Sequence, residues 1–469
     1  MISQKLLAKT LPLALATLTL PACKSRHSSD LHNLSATAAF YDVVIPDGVL
    51  LVTMPDGIRP ADLEDQIRDQ LKFFFVGQLK GRSAGSDFNR AEVAVMSESP
   101  SDLAANTATY EVHYTARFTV AWPNTSKFPK LFTAVMPAVS LEHSFSAADS
   151  GEKSAKSFAE TYAESFAQTF DKTCVDESGG TPSLNPWHFR PENTGCPLEP
   201  WVTGPSEAHG IMTLGTTHIS RARLVAVPQV AKDDKSPEYE RVWEDGTLDT
   251  LMIFAKDSAV SSDADDVGAG EFNGAYFNLI NVLGKPTNGA KFYRDEKGPW
   301  PEKDSAELVF KLPNRSRTLR IKMLLVDSIA GASAPTMAAI QDASRTAEFI
   351  YYGGHSGYGR NIRGLVDMLD YPQGLYRLYY FDGCNSFDYL NQALTQKVAA
   401  ANPGFAASKY ADVLSNALPA PFGMAPPAVK VLMALVGSNT SYRQILADID
   451  SDTLSIVEGE EDNGAGFPQ

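Results

Sequence analysis

The chain has 469 residues, of which 43% are hydrophobic and 21% are charged, a balance that excludes a collagen, a coiled coil or a chain disordered throughout. At roughly 100–200 residues per domain, this length predicts about two to four domains. The formal net charge is −15, and no lysine- or arginine-rich run offsets it. A surface of that sign repels phosphate backbones, so we expect no nucleic acid among the partners.

The N-terminus has the pattern of an export signal. Two lysines precede an apolar run at 11–20, which is too short to span a bilayer comfortably. The run ends in Leu20-Pro21-Ala22-Cys23, which resembles a bacterial lipoprotein signal. This resemblance implies that Cys23 is lipidated and becomes the new N-terminus. It also implies an outer-membrane anchor, because Lys24 is not the aspartate that retains lipoproteins in the inner membrane.

Plain secretion is the alternative to lipidation, with cleavage after a small-residue site such as Ala36-Thr37-Ala38. Both routes export the protein, and the lipoprotein route places it in the cell envelope, on the periplasmic side. No later segment approaches the roughly 18 uninterrupted apolar residues of a transmembrane helix. We therefore expect the membrane to be contacted through the N-terminal lipid anchor only.

Composition shifts divide the chain into five parts. We expect a signal peptide at 1–22, a tether at 23–38, an α+β accessory domain at 39–240, an α/β domain at 241–455 and an acidic tail at 456–469. The boundary near residue 240 follows from a polar stretch and an acidic loop on either side of it.

The first large domain shows both strand and helix periodicity. Residues 41–45 and 49–52 have the composition of strands. A helix beginning near Ala61 carries an apolar residue at every fourth position, namely Leu63, Ile67 and Leu71. Residues 109–122 alternate apolar and polar side chains, which predicts a half-buried antiparallel strand. A further helix is expected at about 152–172, with an aromatic stripe that packs on the strands.

Cys174 and Cys196 flank a loop that is rich in proline, glycine and aromatic residues. An exported protein meets an oxidising compartment, and such a loop needs a cross-link, so we expect a Cys174–Cys196 disulfide. With Cys23 assigned to the lipid, Cys384 remains as a thiol. A thiol in an oxidising compartment is either an inert core residue or a functional one.

Beyond residue 240, short apolar runs alternate with helical segments. The runs lie at 251–254, 307–310, 321–326, 349–352 and 376–381, and helices are expected around 335–346, at about 386–400 and further on to 450. Continuous apolar strands separated by helices indicate a mostly parallel sheet with helices on both faces. The second large domain is therefore predicted to be α/β.

Two of these strands lead directly into residues that can carry chemistry. The run at 349–352 continues into Gly353-Gly354-His355, and the run at 376–381 continues into Asp382-Gly383-Cys384. In open α/β sheets, functional residues gather just past the carboxyl ends of the strands. If the two strands are neighbours, about 4.8 Å apart, both side chains project over the same edge.

A hydrophobic strand ending in His and Gly, followed by a second ending in Cys, resembles the caspase–gingipain group of cysteine peptidases (clan CD). The 29-residue step from His355 to Cys384 is closer to the gingipain-like bacterial members than to animal caspases. The resemblance covers about residues 245–450 and implies a caspase-hemoglobinase-like fold. It also implies a Cys–His dyad with no obligatory third residue. In this chain Ser356 separates the histidine from the glycine that usually follows it.

These residues supply the groups that peptide hydrolysis needs. Cys384 is the expected nucleophile, and the dipole of the helix expected at 386–400 lowers the pKa of its thiol from about 8.5. His355 assists and protonates the leaving amine, and the backbone amides of Gly357 and Cys384 are the expected oxyanion donors. We thus predict an exported cysteine endopeptidase that acts on a peptide or protein substrate.

Two other functions remain open. The inserted Ser356 is compatible with a catalytically inactive relative, a binding or scaffold lipoprotein of the cell envelope. A serine hydrolase using Ser356 would require Gly-x-Ser-x-Gly, and this motif fails because position 358 is tyrosine.

Other motifs are not assigned to the site. His209-Gly210 also reads His-Gly, but no hydrophobic strand precedes it. The chain has no CxxC, HExxH or Walker-type motif, so we expect no metal and no cofactor. Four acidic residues lie near the proposed site in the sequence and could pair with a basic substrate side chain, although each taken singly is interpreted as a surface acid: Asp367, Asp370, Asp382 and Asp388.

Overall fold

A computed structural model describes residues 32–459, apart from 55–56, 81, 104–108, 130–131, 140–169, 171–172, 176–188, 204–209, 215–216, 230–234, 258–264, 289–304, 313–315, 358, 391–392 and 424–426. The expected signal peptide, the lipidation site Cys23 and most of the helix expected at 152–172 lie outside the described residues. His209 lies outside them as well.

The described strands are β1 (His32–Ser35), β2 (Ala38–Thr53), β3 (Gly85–Ser86), β4 (Glu92–Pro100), β5 (Thr109–Pro123), β6 (Phe132–Pro137), β7 (Gly210–Leu214), β8 (Thr217–Pro228), β9 (Thr247–Ala255), β10 (Ser305–Leu312), β11 (Arg317–Val326), β12 (Phe349–Gly353), β13 (Arg377–Asp382), β14 (Ala411–Asn416) and β15 (Ser455–Gly459). The described helices are α1 (Leu63–Lys80), α2 (Glu199–Thr203), α3 (Tyr239–Val242), α4 (Val267–Leu283), α5 (Ala334–Ser344), α6 (Arg360–Met368), α7 (Ser386–Tyr389), α8 (Ala393–Ala401), α9 (Pro427–Gly437) and α10 (Tyr442–Ile449), and there are 3₁₀ turns at Phe88–Arg90 and Ala407–Lys409.

The larger sheet has eight strands in the order β1-β15-β14-β13-β12-β9-β11-β10. Its five consecutive strands from β14 to β11 run parallel to one another. The strands at its two sides, β10 on one and β15 and β1 on the other, pair antiparallel. The chain is therefore a mixed α/β protein with a mostly parallel sheet, as the alternation of apolar runs and helical segments predicts.

Helices cover both faces of this eight-stranded sheet. Tyr351 and Tyr380 point to one side, where they pack in a core with residues of α4, α9 and α10. Tyr352 and Phe381, the next residues along each strand, point to the other side and pack with α5, α6 and α8. Because both faces are buried, the strands appear in the sequence as continuous apolar runs.

A second, antiparallel sheet is built from residues 38–228. Its main order is β3-β5-β2-β8-β6, with β4 paired to β5 and β7 to β8. The pairing of β2 with β5 shifts between Ile45 and Gly48, and this bulge explains why one strand reads as two short runs in the sequence. The alternation in β5 and the buried stripe of α1, made by Leu63, Ile67 and Leu71, are confirmed.

The predicted disulfide is present between Cys174 and Cys196, with a Cα–Cα distance of 4.9 Å. Both residues are buried, together with Phe170 and Phe189, in the core of the antiparallel sheet. None of the helices in the described part of the chain is long and apolar enough to cross a membrane.

Three strands lie where the sequence does not predict them. β1 falls in the segment expected to be a tether, and β15 extends into the segment expected to be an acidic tail. These two strands pair with each other, and β15 also pairs with β14, which lies where only helices are expected. Strand pairing between distant segments thus overrides local composition.

The prediction of one continuous helix at 386–400 is wrong. The structure has a single turn at Ser386–Tyr389 and a separate helix at Ala393–Ala401. Leu390 leaves the helical conformation with φ −75° and ψ 80°. Its carbonyl accepts a hydrogen bond from the side chain of Arg90, in the 3₁₀ turn between β3 and β4, which directs that carbonyl away from a helical partner.

Candidate active site

The strands that carry His355 and Cys384 are neighbours. β12 and β13 pair in parallel, with Gly353 opposite Asp382. His355 lies two residues beyond Gly353, and Cys384 lies two residues beyond Asp382, so both residues leave the sheet at the same level. Adjacent strands are about 4.8 Å apart, so both loops start from the same stretch of the carboxyl edge.

Hydrogen bonds tie the two loops together. The hydroxyl of Ser356 donates to the carbonyl of Cys384 at 2.6 Å, and the amide of Gly354 donates to the carbonyl of Asp382 at 3.4 Å. A Cβ atom at Gly383 would lie 2.5 Å from Oγ of Ser356, so the close approach of the loops requires a glycine there. Ser356 is only 3% exposed, and this environment does not suit the nucleophile of a serine hydrolase.

The two side chains also contact one loop, which follows β14. Sγ of Cys384 lies 3.8 Å from the carbonyl oxygen of Ala420. The ring of His355 packs edge-on against Phe422, with 5.2 Å between ring centroids. The Cys384 residue is partly exposed and the His355 side chain is half exposed, so both are accessible from solvent.

A third strand of the sheet contributes an acidic residue that the sequence analysis missed. Asp257 follows β9, the parallel neighbour of β12, and its Oδ1 lies 2.8 Å from Nε2 of His355. A carboxylate at this distance accepts a hydrogen bond from a protonated Nε2 and so orients the ring. The amide of Asp257 donates to Oδ1 of Asp266, the N-cap residue of α4, and this bond fixes the strand end.

The backbone around His355 is held from two sides. Its carbonyl accepts hydrogen bonds from the hydroxyl of Tyr352 and from Nδ2 of Asn361, both at 2.7 Å. Oδ1 of Asn361 accepts the amide of Ala330, so the same side chain links a second loop to the site. Nothing in the local sequence pattern marks Asn361 for this role.

Gly357, an expected oxyanion donor, adopts a left-handed conformation with φ +57°. Its carbonyl accepts the amide of Arg360 at the start of α6. A glycine suits this turn because an L side chain at that φ is strained. The oxyanion role of the Gly357 and Cys384 amides stays a prediction.

Of the four acidic residues near the site in the sequence, Asp382 is the one that lies at this edge. Asp367 lies in the last turn of α6 and Asp370 just beyond it, and they form ion pairs with Lys397 and Arg345 respectively. Asp388 is buried and its carboxylate accepts the amide of Asn89.

A partly buried carboxyl group, that of Asp382, and a buried one, that of Glu271, lie beneath the site. Burial raises the pKa of Asp382 to about 6, although Asn416 and Tyr351 donate hydrogen bonds to it. Burial also raises the pKa of Glu271 to about 8, and the nearby charge of Asp382 adds to this effect. Glu271 accepts the amide of Gly423 at 2.6 Å, at the end of the loop that contacts both proposed catalytic side chains.

No model of a known protein family matches the chain, and no curated protein matches it either. In the part of the chain that the structure describes, no group of three or more His, Cys, Asp or Glu side chains is arranged to hold a metal ion.

Proposed function

We propose that the protein is an exported cysteine peptidase in which Cys384 is the nucleophile, His355 transfers protons and Asp257 orients His355. The observation that carries the proposal is the register of three adjacent parallel strands, β13, β12 and β9. Each delivers one of these residues just beyond its carboxyl end. A thiol, an imidazole and a carboxylate in this order are the groups of a nucleophile, a base and its orienting partner.

The reaction follows from these roles. The Cys384 thiolate attacks the substrate carbonyl carbon and forms a C–S bond, while the backbone amides of Gly357 and Cys384 stabilise the oxyanion. The C–N bond then breaks, and protonated His355 gives its proton to the leaving amine. Water attacks the resulting thioester as His355 takes a proton from it, and cleavage of the C–S bond restores the thiolate.

Export through a lipidated Cys23 is part of the same proposal. β1 pairs with β15, and the hydroxyl of Ser35 donates to the carbonyl of Ser455 at 2.8 Å. Cleavage after Ala38 would remove this strand from the sheet, so processing upstream of His32 fits the fold better. A buried disulfide is also in keeping with an oxidising compartment.

The test is the pH dependence of alkylation of Cys384 by iodoacetamide in the folded mature protein. No substrate need be known, and the other cysteines of that protein are in the disulfide or lipidated. We expect an apparent thiol pKa well below about 8.5, since a protonated His355 stabilises the thiolate. His355→Ala should raise this pKa towards 8.5, and Asp257→Asn should raise it by less.

His113→Ala is the matched control, because His113 also pairs with an aspartate, Asp47, at 3.1 Å, but lies on β5. It should leave the alkylation profile unchanged. A Cys384 thiol that reacts slowly, with an unshifted pKa that is indifferent to His355, would contradict the proposal. It would favour a binding or scaffold protein that does not cut. If the thiol is activated, Cys384→Ala should abolish hydrolysis of peptides found by screening.

A further inference from the structure

The segment that follows Cys384 is buried against the antiparallel sheet. Phe387, Asp388 and Tyr389, in the single turn of α7, are all buried. Phe387 belongs to an apolar cluster that both sheets share, with Ala38, Phe40 and Ala121 on one side and Ala417, Leu418, Leu454 and Ile456 on the other. The position of α7 therefore depends on residues that lie some 300 positions earlier in the chain.

One element of the antiparallel sheet makes directed contacts with this segment: the 3₁₀ turn Phe88–Arg90, here named the interface turn. Nδ2 of Asn89 donates to the carbonyl of Asp388 at 2.6 Å, and the amide of Asn89 donates to the carboxylate of Asp388 at 3.2 Å. Nε of Arg90 donates to the carbonyl of Leu390 at 2.5 Å. These two carbonyls lie at the end of a short helix, where carbonyl groups have no intrahelical N–H partner. They are therefore satisfied by donors such as these side chains.

The interface turn is itself firmly held. The guanidinium of Arg90 bonds both carboxylate oxygens of Glu458 in β15, and the side chain of Glu458 is only 2% exposed. A partly buried arginine paired with a buried carboxylate is fixed in direction, because losing the contact would leave the Glu458 charge unpaired away from water. The amide of Thr119 in β5 donates to Oδ1 of Asp87, immediately before the turn, at 2.6 Å.

The segment held by the interface turn also packs against the loop that follows β12 and carries His355. A Cβ atom at Gly359 would lie 2.7 Å from the ring of Tyr389, so the turn that follows His355 packs directly on α7. A displacement of α7 would consequently move the backbone beside both proposed catalytic residues.

We propose that the interface turn positions the segment 386–390 and, through it, the adjoining Cys384, with Asn89 and Arg90 acting as positioning residues for Cys384. The antiparallel sheet is then an integral part of the catalytic machinery and is not a dispensable accessory. The catalytic consequence rests on the proposed function, whereas the structural consequence, an ordered 386–390 segment, does not.

The test compares Asn89→Ala with Asn193→Ala in the full mature chain. Asn193 is a matched control: it is also partly buried and donates from Nδ2 to a backbone carbonyl, that of Val175, at 2.8 Å, away from α7. Hydrogen exchange of the amides in 386–390 and the pH profile of Cys384 alkylation are measured for both variants. Arg90→Lys, which keeps the charge opposite Glu458 but loses the guanidinium fork, serves as a second variant.

In Asn89→Ala we expect exchange at 386–390 to become about fivefold faster, the factor that corresponds to the loss of one hydrogen bond. The apparent pKa of the Cys384 thiol should move towards its ordinary value, and kcat for any peptide substrate should fall with KM unchanged. Arg90→Lys should act in the same direction. Asn193→Ala should change none of these quantities, even if it lowers overall stability as much.

Equal exchange and equal thiol reactivity in the two asparagine variants would overturn the proposal. Faster exchange with an unchanged thiol profile would also overturn it, since the turn would then hold α7 without positioning Cys384. If the wild-type thiol is not activated, the proposed function fails, but exchange at 386–390 still decides whether the interface turn orders this segment.

Discussion

Glu271→Gln isolates the effect of the buried carboxyl group beside the site. Glu271 lies in α4, is 5% exposed and accepts the amide of Gly423. Glutamine keeps a carbonyl oxygen for that amide and has nearly the same volume, but it does not ionise. The substitution therefore changes the titration at this position and little else.

The sign of the expected effect follows from the raised pKa. The pKa of Glu271 rises from its ordinary value of 4.5 to about 8 in the folded protein, chiefly because the side chain is buried. The folded state thus keeps a proton that the unfolded state releases above pH 4.5. This stabilising contribution is complete below pH 4.5 and is lost as the pH rises through 8. At about 1.4 kcal/mol for each pH unit, the whole change is on the order of 5 kcal/mol.

The assay is urea unfolding of wild type and Glu271→Gln at pH 5, 7 and 9, followed by tryptophan fluorescence. We expect the stability of the variant relative to wild type to increase with pH by several kcal/mol. Glu307→Gln, at a carboxylate whose side chain is 73% exposed, is the control and should show no such trend. Parallel pH profiles for Glu271→Gln and wild type would contradict this prediction, because Glu271 would then have the same pKa in the folded and the unfolded state.

Further substitutions test the packing around the site. In Gly268→Ala the new Cβ would lie 2.0 Å from the carbonyl oxygen of Ala255, so α4 must shift. We expect the free energy of unfolding, measured by thermal denaturation, to fall by about 1–3 kcal/mol. Gly423→Ala is the control and should show no such loss, because a Cβ there meets open space. Replacing Cys174 and Cys196 together by alanine should lower the free energy of unfolding by roughly 3 kcal/mol, while Cys384 alkylation stays unchanged; a smaller loss would indicate a compact unfolded state.

The sequence was sufficient to predict the strands that build the centre of the site. β12 and β13 are buried on both faces, so most of their residues are apolar and the runs stand out from their surroundings. The chemistry-bearing His355 and Cys384 follow these runs directly. The sequence left the adjacency of these two strands as a condition, and the structure meets it, in line with the tendency of consecutive parallel strands to lie side by side.

β14 was not predicted as a strand, because several of its buried residues are polar and the segment does not form a continuous apolar run. Asp412 is fully buried within it and accepts hydrogen bonds from the hydroxyls of Tyr376 and Tyr442, at 2.6 and 2.5 Å. These partners lie at least 30 positions away in the chain, so no local pattern identifies the strand as a core element. Burial of a carboxylate is acceptable only with such partners, and they become visible only in the folded protein.

Asp257 was missed for a different reason. In a chain with 56 acidic residues, one aspartate after an apolar run is more often a solvated side chain than a functional one. What distinguishes it is the pairing of β9 with β12, a contact between segments about 100 residues apart. The order of strands in the sheet carries that information, and apolar periodicity does not specify strand order.

The inserted Ser356 is the point on which the active and inactive hypotheses differ most. Its hydroxyl is buried and donates to the carbonyl of Cys384, where Gly383 leaves room for the approach. A residue that joins the two loops holds Cys384 and His355 in a fixed relation, which the proposed active site needs. The insertion therefore has a structural explanation that requires no loss of activity. The inactive hypothesis then has to rest on the reactivity of Cys384 itself.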